Sequence, residues 1–168
     1  AMSIPIPPTR TDRTSTNFRM PSAAGIALIK AFEQCRLRAY LPTPHDVPTI
    51  GWGSTRDSDG TRIRLGQVWT QAHADAVFND HLLTLAREVG RELGQAHTRQ
   101  PQFDALVSFA YNLGATALAR STLLALHRAG DFTGAAAQFA RWNRQGKVVL
   151  AGLSRRRAAE AALYRTVA

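Results

Sequence analysis

Apolar residues near the start of the chain recur at helical spacing. Ile26, Ile29 and Phe32 are three residues apart, so a helix places them on one face. Ser22 precedes them and is a residue type that often caps helix N-termini, so the pattern predicts a helix from Ser22 to about Leu37. Glu33 follows Phe32 and lies near the end of that predicted helix.

The pattern changes between Ala39 and about Gly66. Prolines, glycines, an aspartate-rich turn at residues 57–60 and β-branched residues replace the helical spacing. Short segments of this kind are typical of antiparallel strands joined by tight turns. The sequence therefore predicts a small antiparallel sheet.

Beyond Thr70, a second predicted N-cap, the chain is rich in alanine and leucine. Breaks fall near residues 94–101, at Gly114, at Gly130 and at 145–146, which leaves room for four or five helices. The spacing of the larger aromatic residues follows helical faces and predicts core positions for Phe103, Phe109, Tyr111 and Trp142. The expected fold class is α+β: an N-terminal helix, a small antiparallel β-lobe, and a C-terminal helical bundle with a cleft between the lobes.

Residues 1–21 show no periodicity and contain prolines, hydroxyl residues and scattered arginines, so we expect a flexible basic arm before a domain over residues 22–168. Ala1, before Met2, is interpreted as a tag remnant. No stretch approaches the roughly 20 apolar residues of a membrane span, and no apolar signal core follows the start. Synthesis in the cytoplasm is the simplest expectation, and Cys35 is the single cysteine, so no internal disulfide is predicted.

The net charge of +9 and isoelectric point near 11.1 predict attraction to a polyanion. Nucleic acid, anionic lipid and the bacterial cell wall all carry the required negative charge. The arginines are dispersed along the chain, whereas a nucleic-acid-binding module would concentrate them on one recognition element. Charge alone leaves the polyanion open.

Two segments carry candidate chemistry: Phe32 to Tyr40, with Glu33 ahead of Arg36-x-x-x-Tyr40, and Thr49-Ile50-Gly51-Trp52-Gly53-Ser54-Thr55. Together they resemble the active-site signature of phage lysozymes, glycoside hydrolase family 24. The segment Gln102 to Gly114 is similar to that family's central helix, and residues 142–144 through 152–157 are similar to its C-terminal segment. The resemblance covers roughly residues 23–165 and implies a lysozyme-like catalytic domain.

The resemblance implies that Glu33 is the catalytic acid. Cleavage of a glycosidic bond needs an acid that protonates the departing oxygen, and apolar neighbours favour the protonated form of a carboxylic acid. Thr49 would position a water molecule on the opposite face of the sugar, as an inverting hydrolase requires. The family's usual aspartate position holds Pro42, and Asp46 is the only acid in this loop. Asp46 either supplies the second carboxylate from a displaced position or caps the turn between Pro44 and Pro48.

Further residues are expected to support the site. The family places an arginine against the catalytic glutamate, and Arg156 fits that register best, with Arg155 next. Tyr40 belongs to the signature, and Trp52 either lines the saccharide path or packs the small lobe. The histidines are scattered without zinc spacing, and no phosphate-binding glycine loop is present, so neither a metal nor a cofactor is expected.

The implied function is that of an endolysin, which cleaves the β-1,4 bond between N-acetylmuramic acid and N-acetylglucosamine of peptidoglycan. Because one acid/base glutamate suffices for a lytic transglycosylase, that alternative stays open, as do a non-catalytic wall-binding protein and a nucleic-acid-binding protein. We expect a monomer that is made in the host cytoplasm, released by a holin and active on the wall in the periplasm. The basic surface, including the arm, would contact an anionic membrane or wall polymer.

Overall fold

The computed structural model describes residues 17–167. Residues 1–16 and 168 lie outside it, so most of the predicted arm lies outside the described residues. The end of that arm contacts the helical part of the protein. The Asn17 side chain donates hydrogen bonds to the carbonyls of Gly94 and Ala96, both at 2.8 Å.

The elements follow one another in the order of helix, small sheet and helical bundle. The first part comprises α1 (Ala23–Glu33), β1 (Arg36–Tyr40) and β2 (Thr49–Gly51). The second comprises α2 (Gln71–Leu93), α3 (Gln100–Leu113), α4 (Ala115–Ala119), α5 (Thr122–Arg128), α6 (Phe132–Gln138), a 3₁₀ helix (Phe139–Arg141), β3 (Arg144–Gln145), β4 (Val148–Val149) and α7 (Ala151–Tyr164). The expected α+β class is confirmed.

Helix α1 is shorter than predicted. It ends at Glu33 rather than Leu37, because Gln34 adopts a positive φ of 54° and turns the chain into β1. Ser22 does cap the helix by position, but its side chain does not bond to the first turn. Instead, its amide donates to Asp104 Oδ1 at 2.8 Å and its hydroxyl to Asp104 Oδ2, which ties the start of α1 to α3.

More helices follow Thr70 than the four or five that the sequence pattern predicts. Among residues 17–167, six α-helices follow Thr70, because α4, α5 and α6 span only five to seven residues each and give little periodicity. The break at 145–146 is the turn of a second small hairpin, β3–β4. The predicted cap at Thr70 is confirmed: its hydroxyl accepts a hydrogen bond from the His73 amide at 3.1 Å.

The two strands of the small sheet differ in burial, because β2 is buried throughout and β1 is mostly exposed. Strands β1 and β2 pair antiparallel, with Arg36 opposite Gly51 and Tyr40 opposite Thr49, and Arg38 bridges to Val68. Ala39 on β1 is buried, whereas Arg36, Arg38 and Val68 are exposed. The sheet therefore turns basic side chains toward solvent.

Two apolar clusters form the core. The larger lies in the helical bundle around α3, whose Phe103, Leu106 and Phe109 are fully buried. The smaller lies under the sheet, and half-buried Trp52 packs against both clusters. No helix among residues 17–167 is both long and apolar enough to cross a bilayer.

Candidate active site

Glu33 is the last residue of α1, and its side chain is 18% exposed. Its Oε1 accepts a hydrogen bond from Arg156 Nη1 at 2.6 Å, across 123 residues of sequence. The first helix, α1, and the last helix, α7, therefore meet at this carboxylate.

Arg156, on α7, is buried and held on several sides. Its Nη2 donates to the Ser108 carbonyl at 3.2 Å, and its Nε lies 3.4 Å from Glu160 Oε2. The guanidinium also lies 5.8 Å from the centre of the Phe32 ring. With these anchors, the remaining Nη1 is directed at Glu33.

A second buried ion pair lies behind Arg156. Arg157 Nε is 2.7 Å from Glu160 Oε1, and Arg157 Nη2 donates to Asn112 Oδ1 at 2.8 Å. The Ser108 hydroxyl donates to Glu160 Oε2 at 2.5 Å. Burial lowers the pKa of Arg157 to about 10 and raises the pKa of Glu160, while each charge opposes the shift of its partner.

Gly53 lies against the other oxygen of Glu33. Reciprocal backbone hydrogen bonds between Ile50 and Ser54, at 2.9 and 2.8 Å, close the turn after β2 and bring Gly53 to the end of α1. Its φ is +86°, and a Cβ at this position would overlap Glu33 Oε2. The second glycine of the Gly51-Trp52-Gly53 motif therefore leaves space for the carboxylate.

Trp52 is held in place by hydrogen bonds on both its ring and its backbone. The indole Nε1 donates to Asp75 Oδ1 at 2.8 Å, and the Tyr111 hydroxyl donates to the Trp52 carbonyl at 2.5 Å. Burial and the nearby Glu33 charge raise the pKa of Tyr111, so the phenol stays neutral. These contacts favour a packing role for Trp52 over a sugar-stacking role.

Thr49 and Tyr40 are cross-strand partners on the sheet. Thr49 is buried, and its hydroxyl donates to the Val47 carbonyl at 3.1 Å. Tyr40 is half-buried beneath the Arg36 guanidinium, which lies 4.3 Å from its ring centre. Thr49 begins the strand whose following turn carries Gly53, but neither Thr49 nor Tyr40 lines the cavity at Glu33 or the cavity beyond Gly53.

Asp46 lies in the loop between β1 and β2 and is exposed. Its carboxylate accepts a hydrogen bond from the Thr43 hydroxyl at 2.9 Å, and its amide donates to the Thr43 carbonyl at 3.0 Å. These contacts close a short turn. In this structure the Asp46 side chain therefore has the geometry of a turn cap.

One cavity is lined by Glu33, and a second lies beyond Gly53. The first, of about 570 Å³, opens between the end of α1 and the start of α7 and is lined by Glu33, Asn112, Arg156 and the exposed Arg155. The second, of about 300 Å³, lies between residues 53–58 and helix α2, and Gly53 stands between it and the Glu33 carboxylate. Among residues 17–167, no three His, Cys, Asp or Glu side chains are grouped as metal ligands.

Several residues of the site did not emerge from the sequence. Ser108 and Glu160 contact Arg156, yet the sequence pattern predicts no role for either, and it places Gly53 in the signature without indicating its contact with Glu33. A signal existed for Glu160, because Arg156 and Arg157 stand four and three residues before it, at the spacing of helical ion pairs. Their burial, however, depends on packing against α3.

The family model described as phage lysozyme matches residues 30–160, and the chain belongs to this family. An endolysin of Bacillus phage B103 is 41% identical over 146 residues, which cover 86% of this chain and 54% of that protein. The chain thus spans about half the length of the Bacillus phage endolysins that it matches.

Solved structures show the same fold. The muramidase domain of SpmX from Asticaccaulis excentricus is 36% identical with a TM-score of 0.76, and the match covers 89% of this chain and all of that one (100%). An endolysin from the Escherichia coli O157:H7 phage FAHEc1 is 35% identical with a TM-score of 0.75, and the match covers 88% of this chain and 94% of the other. The lysozyme-like architecture expected from the signature is confirmed.

Proposed function

We propose that the chain is a lysozyme of the endolysin type, which hydrolyses the β-1,4 bond between N-acetylmuramic acid and N-acetylglucosamine in peptidoglycan and so lyses a bacterial host. The observation that carries the proposal is a single carboxylate, Glu33, which a buried arginine holds at a cavity of about 570 Å³. The names of the relatives, endolysin and muramidase domain, support the same activity.

The two oxygens of Glu33 have different surroundings, which suits a proton donor. Oε1 accepts from the cationic Arg156, whereas Oε2 faces Gly53 and has no hydrogen-bond partner among residues 17–167. A proton is favoured on the oxygen that no cationic donor occupies. We assign Oε2 as the atom that protonates the departing glycosidic oxygen.

The opposite face of the sugar needs a group that activates water. We assign this role to Thr49 and Asp46, the hydroxyl and the carboxylate at the small-lobe side. Asp46 would exchange its bond to Thr43 for one to the water or the substrate. Tyr40 supports this wall from the neighbouring strand, Trp52 fixes the turn, and the exposed Arg155 suits a carboxylate of the peptide stem.

The Glu33→Gln variant tests the central assignment, because glutamine keeps the shape but cannot donate the proton. We expect at least a hundredfold loss of muropeptide release from purified walls, with the protein still folded and still unfolding cooperatively on heating. Glu92→Gln, at an exposed ion pair with Arg128, is the matched control and should retain activity. Full cleavage by the Glu33 variant would show that Glu33 is not the acid, and a wild-type protein that releases no muropeptides would leave a wall-binding or nucleic-acid-binding protein as the explanation.

Asp46 separates hydrolysis from transglycosylation. A transglycosylase uses the sugar's own hydroxyl and leaves anhydro products, so it needs no second carboxylate; the relatives' names do not favour it. If Asp46 activates water, the Asp46→Asn variant should lose activity, and mass spectrometry should show reducing sugars as the wild-type products. The Thr43→Ala variant leaves the carboxylate intact and should keep its activity. Anhydro products would support the transglycosylase instead.

The exposed arginines of β1 support contact with an anionic wall polymer or membrane. Arg38 pairs with exposed Val68, Arg36 is exposed two residues before it, and the net charge of +9 acts in the same direction. Wall binding by the Arg36→Ser/Arg38→Ser variant should weaken and lose part of its salt dependence. We further propose a monomer that is made in the host cytoplasm, released by a holin and active on the periplasmic wall.

A further inference from the structure

We propose that Glu160 is a positioning residue for cleavage, which acts on Glu33 through Arg156. The inference rests on the proposed function, because it takes Glu33 to be the acid. Glu160 is fully buried and touches no cavity beside Glu33, so it does not itself meet the substrate.

The first part of the argument is geometric. Arginine presents five N–H donors in a rigid plane, so fixing two edges fixes the third. Glu160 faces the Nε edge of Arg156 at 3.4 Å, and the Ser108 carbonyl binds Nη2 at 3.2 Å. The Ser108 hydroxyl in turn holds the Glu160 carboxylate. Hydrogen bonds within the protein therefore direct Nη1 at Glu33, and no bond to water is required.

The second part concerns charge. Glu33, Arg156, Arg157 and Glu160 form a chain of two carboxylates and two guanidiniums with no net charge, and all but the half-buried Glu33 are buried. Glu160 binds Arg157 more closely than Arg156, at 2.7 Å against 3.4 Å, yet it balances part of the charge of both. Without Glu160, the positive charge of Arg156 would act on Glu33 alone and would favour its ionised form, which cannot donate a proton.

The remaining neighbours of Glu33 do not supply that balance. Tyr111 of α3 is a neutral phenol that donates to the Trp52 carbonyl, and the small lobe presents the backbone of Gly53. Lys30, on the same helix as Glu33, lies over the rings of Trp52 and Phe78 at 4.9 and 5.1 Å. Arg155 of α7 lines the same cavity as Glu33 and is a cation. Among the described contacts, Glu160 is therefore the carboxylate that offsets Arg156.

The test is the pH profile of muropeptide release by the Glu160→Gln variant. We expect its alkaline limb to lie about one pH unit lower than that of the wild type, as one lost charge implies at an effective dielectric constant of about 20. Above that limb kcat falls about tenfold while KM stays unchanged. Glu92→Gln removes the same charge from an exposed ion pair and should leave the profile unshifted. A folded Glu160→Gln protein with the wild-type profile would overturn the proposal.

Removing one member of a buried ion pair also destabilises a protein, so a second variant separates charge from folding. The double variant Arg157→Met/Glu160→Gln leaves no unpaired guanidinium at position 157, and methionine can pack on the Phe109 ring that Arg157 covers. Its reference is Arg157→Met alone, because these two variants differ only at position 160 and both lack the charge of Arg157. We expect the double variant to be more stable than Glu160→Gln, and its alkaline limb to lie about one pH unit below that of Arg157→Met. Equal profiles in these two variants would overturn the proposal, and the pair decides the question if Glu160→Gln does not fold.

The failure of this inference is distinct from failure of the proposed function. An inactive Glu33→Gln variant together with an unshifted Glu160→Gln profile overturns the positioning role alone. Full activity of Glu33→Gln overturns the assignment of Glu33 as the acid and this inference with it, and a wild-type protein without activity overturns the proposed function.

Discussion

Replacing Gly53 by alanine places a methyl group where the Glu33 carboxylate lies. The carboxylate cannot simply withdraw, because Arg156 holds its other oxygen at 2.6 Å. We therefore expect Glu33 to move by roughly 1 Å, and a displacement of that size can cost about a hundredfold in rate. The left-handed backbone at φ +86° adds about 1–2 kcal/mol of destabilisation for any residue with a Cβ.

Gly60→Ala is the matched control for this prediction. Gly60 has nearly the same φ, +85°, but no atom lies within 4 Å of a Cβ added there. Both variants should lose about 1–2 kcal/mol of stability, which lowers Tm by about 2–8 °C for a domain of this size. Only the Gly53 variant should lose kcat, measured as initial muropeptide release from purified walls.

Calorimetry on the same samples separates the two effects. Equal rates in both alanine variants would refute the reasoning, because contact with Glu33 would then have no consequence. A large rate loss in Gly60→Ala would refute it as well, since backbone strain alone would then account for the effect.

Two further predictions concern stability. His127 is buried between the hydroxyls of Thr98 and Tyr164, at 2.8 and 2.6 Å, and burial lowers its pKa to about 4. Because the folded state resists protonation of His127, the contribution of this residue to stability is complete above pH 6.5 and falls as the pH drops toward 4. Between pH 7 and 4.5, Tm of the wild type should therefore fall about 5 °C further than Tm of the His127→Gln variant. Trp52→Phe keeps the ring packing but loses the hydrogen bond to Asp75, so urea unfolding should show about 1 kcal/mol of lost stability with KM within about twofold. A much larger rise in KM would restore the sugar-stacking role for Trp52.

The sequence predicted best where a local rule decided the outcome. Thr70 caps α2 because a hydroxyl can bond within its own turn, and Phe103 and Phe109 are buried because helical spacing reports a face. The end of α1 was missed because a positive φ at Gln34 is not a typical choice for that residue.

The site was only partly predictable, for a related reason. Glu33 lies within a local signature, whereas its support comes from α3 and α7, more than 70 residues away. Arginines in a row, such as Arg155 to Arg157, are usually solvated, and only packing shows that two of the three are buried. Glu160 can be recognised as part of the support of the site only when the burial of α7 is known.

Helix α2 also separates the N-terminal end of the described residues from the small lobe. Its 23 residues span about 34 Å, with Asn17 bound at its C-terminal end and the Asp75 that holds Trp52 near its beginning. A reporter or targeting module joined ahead of Asn17 would therefore enter roughly 30 Å along α2 from the small lobe. Fluorescent or wall-targeting fusions at this position should leave substrate access unobstructed.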